Sequence, residues 1–417
     1  MTRDRPRTPW PLIGLATAAR FASGMLMGTA LAVYVGQVGS PFAVSLVAMA
    51  YYLGTMVLSP VWGAVADVTG RRRAVLGLTG LVATLAVLPL LVVRGVWAPI
   101  GVRLAYAVFA AGYAPVALAV VSAYGGSASR GQSVGYYNST RAVGFAGGNL
   151  AAGVLLGLLV PEEIYLVIAG LSLVSTLAVL FVADPEPTPG RSPTPTALAR
   201  EVKHRLLPAV GEREHLRRNG LAWLYVALAV RNMTVVGITA LSAPYLVQVV
   251  GVPEPVMGAL LASNHGVQVV AMLLFGAVAD RAGRKPLIVA GMVGSGAFAL
   301  LAAAAALPSP GPGRLVVAAA AFVVLGTSFS AMTTGAVSFV GDVAPPRRTA
   351  ELLGLRSTAK GVGGVVGPPL LGILATLTSY QVAFALGSLL AFAAAGLAAV
   401  ALVESRPAAA GRPTPGD

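Results

Sequence analysis

The stretch GAVADVTGRRR, from Gly63 to Arg73, recurs later in the chain as GAVADRAGRKP, from Gly276 to Pro286. Both copies share the pattern GAVAD-x-x-GR, which is too long for a chance match. Each copy follows one long apolar stretch and precedes another. A motif repeated in the same setting indicates that the chain consists of two halves that repeat each other.

The repeat extends to both sides of this motif. Three residues of the first half recur at identical spacing in the second, and a basic residue before a glycine-rich stretch recurs as well. The matched sets are Arg20, Tyr34 and Gln37 with Arg231, Tyr245 and Gln248; Arg141 with Lys360; and GFAGGNLAAG (Gly144 to Gly153) with GGVVGPPLLG (Gly363 to Gly372). The duplication therefore covers most of each half.

The composition identifies the solvent of this protein as lipid. Of 417 residues, 56% are hydrophobic and 11% are charged, and the mean hydropathy is +0.80. Such a chain is neither disordered nor a soluble globular enzyme. Twelve apolar stretches are long enough to cross a bilayer as helices. They lie near 11–36, 42–65, 74–93, 97–121, 134–159, 163–183, 221–249, 256–278, 286–307, 314–340, 351–377 and 380–403.

These stretches, called spans 1 to 12 here, predict an all-α polytopic membrane protein with two six-helix bundles related by a pseudo-two-fold axis. The predicted domains are an N-terminal bundle at 1–183, a Pro-rich and basic cytoplasmic linker at 184–220, and a C-terminal bundle with a short cytoplasmic tail at 221–417. The basic and then apolar N-terminus is expected to be a retained first span rather than a signal peptide.

The net charge of +14 would suggest a nucleic-acid binder if its basic residues formed a patch. Instead, most of them lie before span 1, in alternate loops, in the linker and after span 12. The opposite loops contain Arg94 and Arg314 together with Glu162, Glu163 and Glu254. Because basic loops face the cytoplasm, this asymmetry predicts both termini and the linker in the cytoplasm of a multi-pass cell-membrane protein. The charge sets orientation, and no nucleic-acid partner is expected.

The repeated motif resembles the signature of the major facilitator superfamily, G-x-x-x-D-[RK]-x-G-[RK]-[RK]. The second copy matches it in full, whereas the first has Val68 at the basic position after the aspartate. The resemblance implies two bundles around a cavity lined by helices one, four, seven and ten, with transport by rocking of the halves. The motif residues are Gly63, Asp67, Gly70 and Arg71 in the first half and Gly276, Asp280, Gly283 and Arg284 in the second.

The carboxylates of this motif suggest a conformational latch. Asp67 and Asp280 lie at helix ends, where each can accept hydrogen bonds from a neighbouring helix N-terminus or an arginine. Such a bond can form in one rocking state and break in the other, and so bias the equilibrium between them. The alternative is a static anchor that only fixes topology.

Glycine patterns in spans 5 and 11 predict close helix packing and resemble a motif of drug-efflux members of the superfamily. Span 5 has Gly144 and Gly148 but carries Asn149 where that motif has proline. The better match, Gly363, Gly367 and Pro368, lies in span 11.

Basic residues inside spans are costly and are therefore candidates for function. Arg20 and Arg231 occupy equivalent positions on spans 1 and 7, with Tyr34 and Tyr245 fourteen residues further on. Phosphate-ester carriers of the superfamily use paired arginines on these helices, which implies an anion clamp. In the alternative, each arginine braces its own bundle.

Two further pairs of basic residues lie within spans. Arg141 and Lys360 have the same two interpretations as Arg20 and Arg231. Arg103 and Arg356 are expected to extend their charged ends towards water at the membrane surface.

No acidic residue lies in the middle of a span, so His265 in span 8 is the candidate group for exchanging a proton. It lies in a polar cluster with Asn264 and Gln268, and Tyr52, Thr55 and Ser59 form a polar stripe on span 2. The alternative for His265 is a hydrogen-bonded packing residue.

The sequence thus predicts a secondary transporter that exports small, moderately hydrophobic compounds. The alternatives are an organic-anion or phosphate-ester porter using Arg20 and Arg231, and a non-transporting receptor or sensor. No catalytic motif, Walker motif or cysteine is present, so no enzyme activity, cofactor or metal is expected. The expected partners are a small-molecule substrate, the lipid bilayer and a coupling ion such as the proton, with the protein a monomer.

Overall fold

A computed structural model describes residues 9–184, 195–206, 216, 218–345 and 348–405. Arg3, Arg5 and Arg7, much of the predicted linker and the last twelve residues lie outside the described residues. Within the described ranges every long element is a helix and no strand occurs.

Twelve helical segments are long and apolar enough to cross a membrane, which confirms the all-α class and the predicted number of spans. Their bounds are Trp10–Val38, Pro41–Thr69, Arg72–Leu91, Trp97–Gly126, Gly131–Leu158, Pro161–Leu180, Arg218–Val250, Glu254–Ala282, Arg284–Ala304, Pro312–Val343, Glu351–Leu377 and Tyr380–Ala401.

Short polar signals separate spans that the apolar pattern alone would join. The Ser40 hydroxyl accepts a hydrogen bond from the backbone N–H of Ala43 at 3.3 Å and starts span 2. Ser379 does the same for Val382 at 3.2 Å and starts span 12. A serine at this position satisfies one of the N–H groups that a helix start leaves without a partner.

Two interruptions are built into helical stretches. The helix Tyr113–Leu158 runs from span 4 into span 5, and Gly126 with φ of 58° breaks its regular backbone. Span 7 contains the α-helix Leu221–Tyr245 and then a π-helical turn, Leu246–Val250, which ends at Gly251 with φ of 80°. A positive φ costs little conformational energy only for glycine. The glycines at 126 and 251 therefore determine where the two helices are interrupted.

The described residues fall into two compact units. The first contains residues 1–209 and 240–265, and the second contains residues 210–239 and 266–417. Spans 7 and 8 each contribute to both. In the first unit span 1 packs against spans 5 and 6, and in the second span 9 packs against spans 10 and 12. The domain boundaries at 183 and 220 stay a prediction.

Part of the predicted linker is a helix, Pro195–Leu206, which packs against span 2 in the first unit. Val202 is buried, while Arg200 and Lys203 are exposed. The helix therefore has one apolar contact side and a basic outer side.

Candidate functional site

In the second unit, Arg284 of the repeated motif binds three groups. Its Nε donates to Asp342 Oδ2 at 2.9 Å, its Nη1 donates to the Ala279 carbonyl at 2.8 Å, and its Nη2 lies 3.4 Å from Asp280 Oδ1. The arginine side chain is 12% exposed and that of Asp280 is 76% exposed. The contact with Asp342 is therefore the better shielded of the two ion pairs.

A carboxylate beyond span 12 completes this network. The two oxygens of Glu404 accept hydrogen bonds from the backbone N–H groups of Arg284 at 2.9 Å and Lys285 at 3.1 Å. Gly283 has φ of 97°, and a Cβ there would lie 2.6 Å from a Glu404 oxygen. The glycine therefore lets the carboxylate reach the exposed N-terminus of span 9, where the helix dipole favours negative charge.

The first unit has a matching contact. Asp184 Oδ1, beyond span 6, accepts a hydrogen bond from the backbone N–H of Arg73 at 2.8 Å. Gly70 with φ of 63° ends the helix of span 2, and Asp67 lies three residues before it, with Arg71 one residue after it. Sequence reasoning missed Asp184 and Glu404, although each is the carboxylate that follows the sixth span of its half.

Arg20 is directed into the interior of the first unit. It is 4% exposed, and its Nη1 donates to Ser172 Oγ at 3.0 Å. Its Nη2 lies 3.5 Å from both the Gly80 carbonyl and Thr176 Oγ1. Arg20 thus links span 1 to spans 3 and 6, which are the contacts expected of the bracing alternative.

Arg231 holds the equivalent place in the second unit. It is 1% exposed, its Nε donates to Ser295 Oγ of span 9 at 2.8 Å, and its guanidinium lies 5.8 Å from the centre of the Phe329 ring. Each arginine of the proposed clamp therefore contacts its own unit, and no described contact favours the clamp.

The second pair of basic residues packs on aromatic rings. The Arg141 guanidinium lies 6.0 Å from the ring centre of Phe21 and 5.9 Å from that of Phe145, and Lys360 Nζ lies 5.1 Å from that of Phe329. Cation–π contacts of this kind stabilise a cation where water is scarce.

His265 also contacts Phe145, with ring centres 5.1 Å apart. Arg141 and His265 therefore share one aromatic neighbour. Asn264 precedes His265 on the same helix, and the Gln268 carbonyl, one turn further on, lies 3.5 Å from Ser330 Oγ. His265 of the predicted polar cluster therefore lies near a basic side chain that the sequence did not place beside it.

A cavity of about 160 Å³ lies between spans 1, 5 and 6 at the other end of the first unit, and most of the residues that line it are apolar. The Tyr34 hydroxyl accepts a hydrogen bond from the Gly95 N–H at 3.3 Å, and Tyr245 is buried. Gln248 Nε2 donates to the Gly36 carbonyl at 3.0 Å, which joins spans 1 and 7. Tyr34, Gln37 and Tyr165 supply the polar groups of the cavity wall.

The glycines of spans 5 and 11 lie against neighbouring backbones. A Cβ at Gly144 or Gly148 would lie 2.6 Å from a carbonyl oxygen of span 1, at Ala18 or Ala22 respectively. Gly363 and Gly367 approach the backbone of span 7 as closely. Only a residue without a side chain allows this approach. Pro368 lies inside the continuous helix of span 11.

The motif glycines behave differently. A Cβ at Gly63 would lie 3.6 Å from Pro115, an ordinary contact, and Gly276 faces open space among the described residues. Close packing is therefore not the role of these two glycines in this conformation.

Arg103 in span 4 contradicts the expectation that its charged end extends towards water. It is 5% exposed, and its guanidinium lies 4.5 Å from the Tyr51 ring centre and 5.6 Å from that of Tyr106. Its Nε and Nη1, and the Tyr106 hydroxyl, have no hydrogen-bond partner within the part of the chain that the structure describes. A buried charged donor without a partner costs at least about 1–3 kcal/mol. Sequence reasoning missed this site because Arg103 lies near a span end.

The fold and these sites define a class, the α-helical multi-pass membrane protein of two repeated halves with a matched ionic loop in each. The family model of the Major Facilitator Superfamily matches residues 13–264 and 232–416. The chain belongs to this superfamily.

Solved structures share the fold at low sequence identity. The nucleoside transporter NupG, in a mutant form, has a TM-score of 0.75 at 14% identity over 94% of this chain and 100% of that one. An inward-facing bacterial homolog of the human lysosomal transporter Spinster has a TM-score of 0.70 at 17% identity, over 95% of this chain and 96% of that one. A D-xylose–proton symporter has a TM-score of 0.70 at 15% identity, over 95% of this chain and 97% of that one. No curated protein sequence matches the chain.

Proposed function

We propose that this protein is a secondary transporter that exports small, moderately hydrophobic molecules across the cell membrane by alternating access. Its superfamily membership supports transport in general. The direction of export is supported by the glycine pattern of span 5, Gly144 and Gly148, which resembles that of drug-efflux members.

The observation that carries this proposal is the matched pair of networks at the GAVAD-x-x-GR loops. Asp184 binds the loop N–H of Arg73 in one half, and Glu404 with Asp342 binds the loop at Arg284 in the other. Partly exposed ion pairs and caps of this kind are each worth about 1 kcal/mol or less. Interactions of this size shift the equilibrium between the two rocking states without preventing either of them. A conformational latch requires such weak contacts, whereas a static anchor does not.

The substrate class follows from the distribution of charge. All acidic residues outside the loops, linker and tails lie close to span ends, so the middle of each span offers no carboxylate to a cationic drug. Neutral or anionic compounds are the better match. His265, beside Phe145, is the candidate group for coupling transport to protons.

Transport is tested with the purified protein in proteoliposomes. We expect flux of neutral or anionic aromatic compounds that saturates with concentration and supports counterflow. Most of that flux should be lost in Arg284→Gln. Arg94→Gln, at the exposed pair with Glu162, is the matched control and should retain flux. Saturable binding without any flux would instead favour the receptor alternative, and flux driven only inwards would exclude export.

An anion porter is the second candidate function. Arg103 favours it, because a buried guanidinium with two nitrogens unpartnered among the described residues is suited to an anionic group.

A further inference from the structure

Three spans of the first unit surround the guanidinium of Arg103. Span 1 contributes two glycines, span 2 two tyrosines, and span 4 the arginine and one tyrosine. We call this set the Arg103 cradle: Gly24, Gly28, Tyr51, Tyr52, Arg103 and Tyr106.

Two glycines of span 1 leave space for the polar groups of two span 4 side chains, the guanidinium of Arg103 and the hydroxyl of Tyr106. A Cβ at Gly28 would lie 3.0 Å from Arg103 Nη2, and one at Gly24 would lie 3.5 Å from the Tyr106 hydroxyl. The two glycines are one helical turn apart, so they present one smooth strip to span 4. Tyr51 and Tyr52 are partly exposed and pack edge to face at 6.0 Å, so they form the open side of the cradle.

The other buried arginine of this unit shows what a bracing arginine does. Arg20 directs its Nη1 and Nη2 to Ser172, Thr176 and the Gly80 carbonyl. Arg103 is equally buried, yet Nε and Nη1 both find no acceptor in the described chain, whereas in Arg20 this holds for Nε alone. No described carboxylate pairs with Arg103. Aromatic faces hold its position and leave the hydrogen-bonding capacity of Nε and Nη1 unused among the described residues.

We propose that the Arg103 cradle binds the carboxylate of an organic monoanion with a planar, apolar body. This inference rests on the proposed transport function and names the substrate class of that transporter. The carboxylate accepts hydrogen bonds from Arg103 and from the Tyr106 hydroxyl, and the Tyr51 and Tyr52 rings contact the apolar body.

The charge of the cradle selects a monoanion. Arg103 is the cation among its six residues, and a phosphate monoester carries about −1.5 to −2 at neutral pH. One guanidinium neutralises a carboxylate but leaves a phosphate monoester with excess charge in a poorly hydrated site. A carboxylic acid is therefore favoured over a phosphate ester.

Binding is tested by calorimetry and thermal shift on the full-length protein in nanodiscs, with 2-naphthoate as the probe. The matched neutral probe is 2-naphthamide, and 2-naphthyl phosphate tests the charge argument. We expect naphthoate to bind at least about tenfold more tightly than either, the loss typical of an unpaired or mismatched charge. Equal binding of acid and amide by the wild-type protein would overturn the proposal without any variant.

Variants assign the binding to this site. Arg103→Met keeps the length and apolar stem and should abolish the preference for acid over amide, and Arg103→Lys should restore part of it. Gly28→Ala should weaken naphthoate binding about threefold or more by displacing the guanidinium. Gly147→Ala, whose Cβ meets nothing within 4 Å among the described residues, is its control. Unchanged preference in folded Arg103→Met contradicts the proposal.

Flux measurements separate this inference from the proposed function. If naphthoate binds with dependence on Arg103 but no compound is transported, the cradle stands and the transporter proposal fails. If neutral compounds are transported and naphthoate shows no preference, transport stands and the cradle is wrong.

Discussion

At the scale of single residues, burial alone does not separate structural from functional basic groups. Arg20, Arg103 and Arg231 are all at least 95% buried in their units. All three guanidinium groups lie near an aromatic ring, but Arg20 and Arg231 also donate to hydroxyl groups of neighbouring spans. Arg103 Nε and Nη1 have no such partner in the described chain. The type of neighbour therefore decides the interpretation.

Substitution of Arg20 and Arg231 tests that distinction. We expect Arg20→Ala and Arg231→Ala each to lower stability by about 1–3 kcal/mol, because buried hydroxyl partners lose a charged donor. Thermal unfolding in detergent measures this, and flux measures the double variant. Loss of anion transport in the double variant with unchanged stability would instead support the clamp.

His265 gives a second residue-scale prediction. We expect His265→Ala to abolish the pH dependence of transport, because His265 is the histidine that lies inside a span and an imidazole can take up and release a proton. The measurement is flux in vesicles against an imposed pH gradient, with Val267→Ala as the neighbouring control. Unchanged proton-coupled flux would leave His265 as a packing residue on Phe145.

At the scale of helices, contacts between spans depend on glycines that allow close backbone approach. Gly153 of span 5 and Gly258 of span 8 meet in the first unit, where a Cβ at Gly153 would lie 2.8 Å from the Gly258 Cα. This distance is below any real Cβ contact, so no side chain fits without moving a helix.

Replacing one of these glycines should therefore separate the two spans. We expect Gly153→Leu to reduce flux strongly while the protein still folds, since the larger side chain prevents spans 5 and 8 from closing. Gly157→Leu, one turn further where a Cβ meets nothing within 4 Å among the described residues, should be neutral. Equal flux in both variants would show that this contact is dispensable.

The caps at the loop motif make another prediction at this scale. Asp184→Asn and Glu404→Gln remove the negative charge at the N-termini of spans 3 and 9 and should each destabilise the capped state by about 0.3–1 kcal/mol. We expect a changed ratio of inward to outward flux and nearly unchanged thermal stability. A loss of stability without a change in that ratio would indicate a static anchor.

At the scale of the whole molecule, the positive charge predicts orientation. The chain has no cysteine, so single cysteines report topology without background. We expect Lys203→Cys in the linker helix to react with a membrane-impermeant maleimide only after permeabilisation of cells, and Arg94→Cys to react in intact cells. The reverse pattern would place both termini outside.

The sequence predicted the number of spans, the repeat and the ionic loops, because each depends on local properties. Span length follows from apolar runs, and helix ends follow from residues such as Ser40, Gly70 and Ser379. The same local reasoning failed for Arg103, since its distance from a span end says nothing about which helices cover it.

The sequence by itself thus determined the lipid environment, the twelve helices, their duplication and the motif that assigns the superfamily. Only the tertiary structure decided which polar groups inside the spans have partners. Arg20 reaches Ser172 across 152 residues of chain, and Arg103 meets Tyr51 of span 2 and the Gly28 strip of span 1. A helix fixes the direction of its own side chains, whereas the groups they meet are set by the packing of helices distant in sequence.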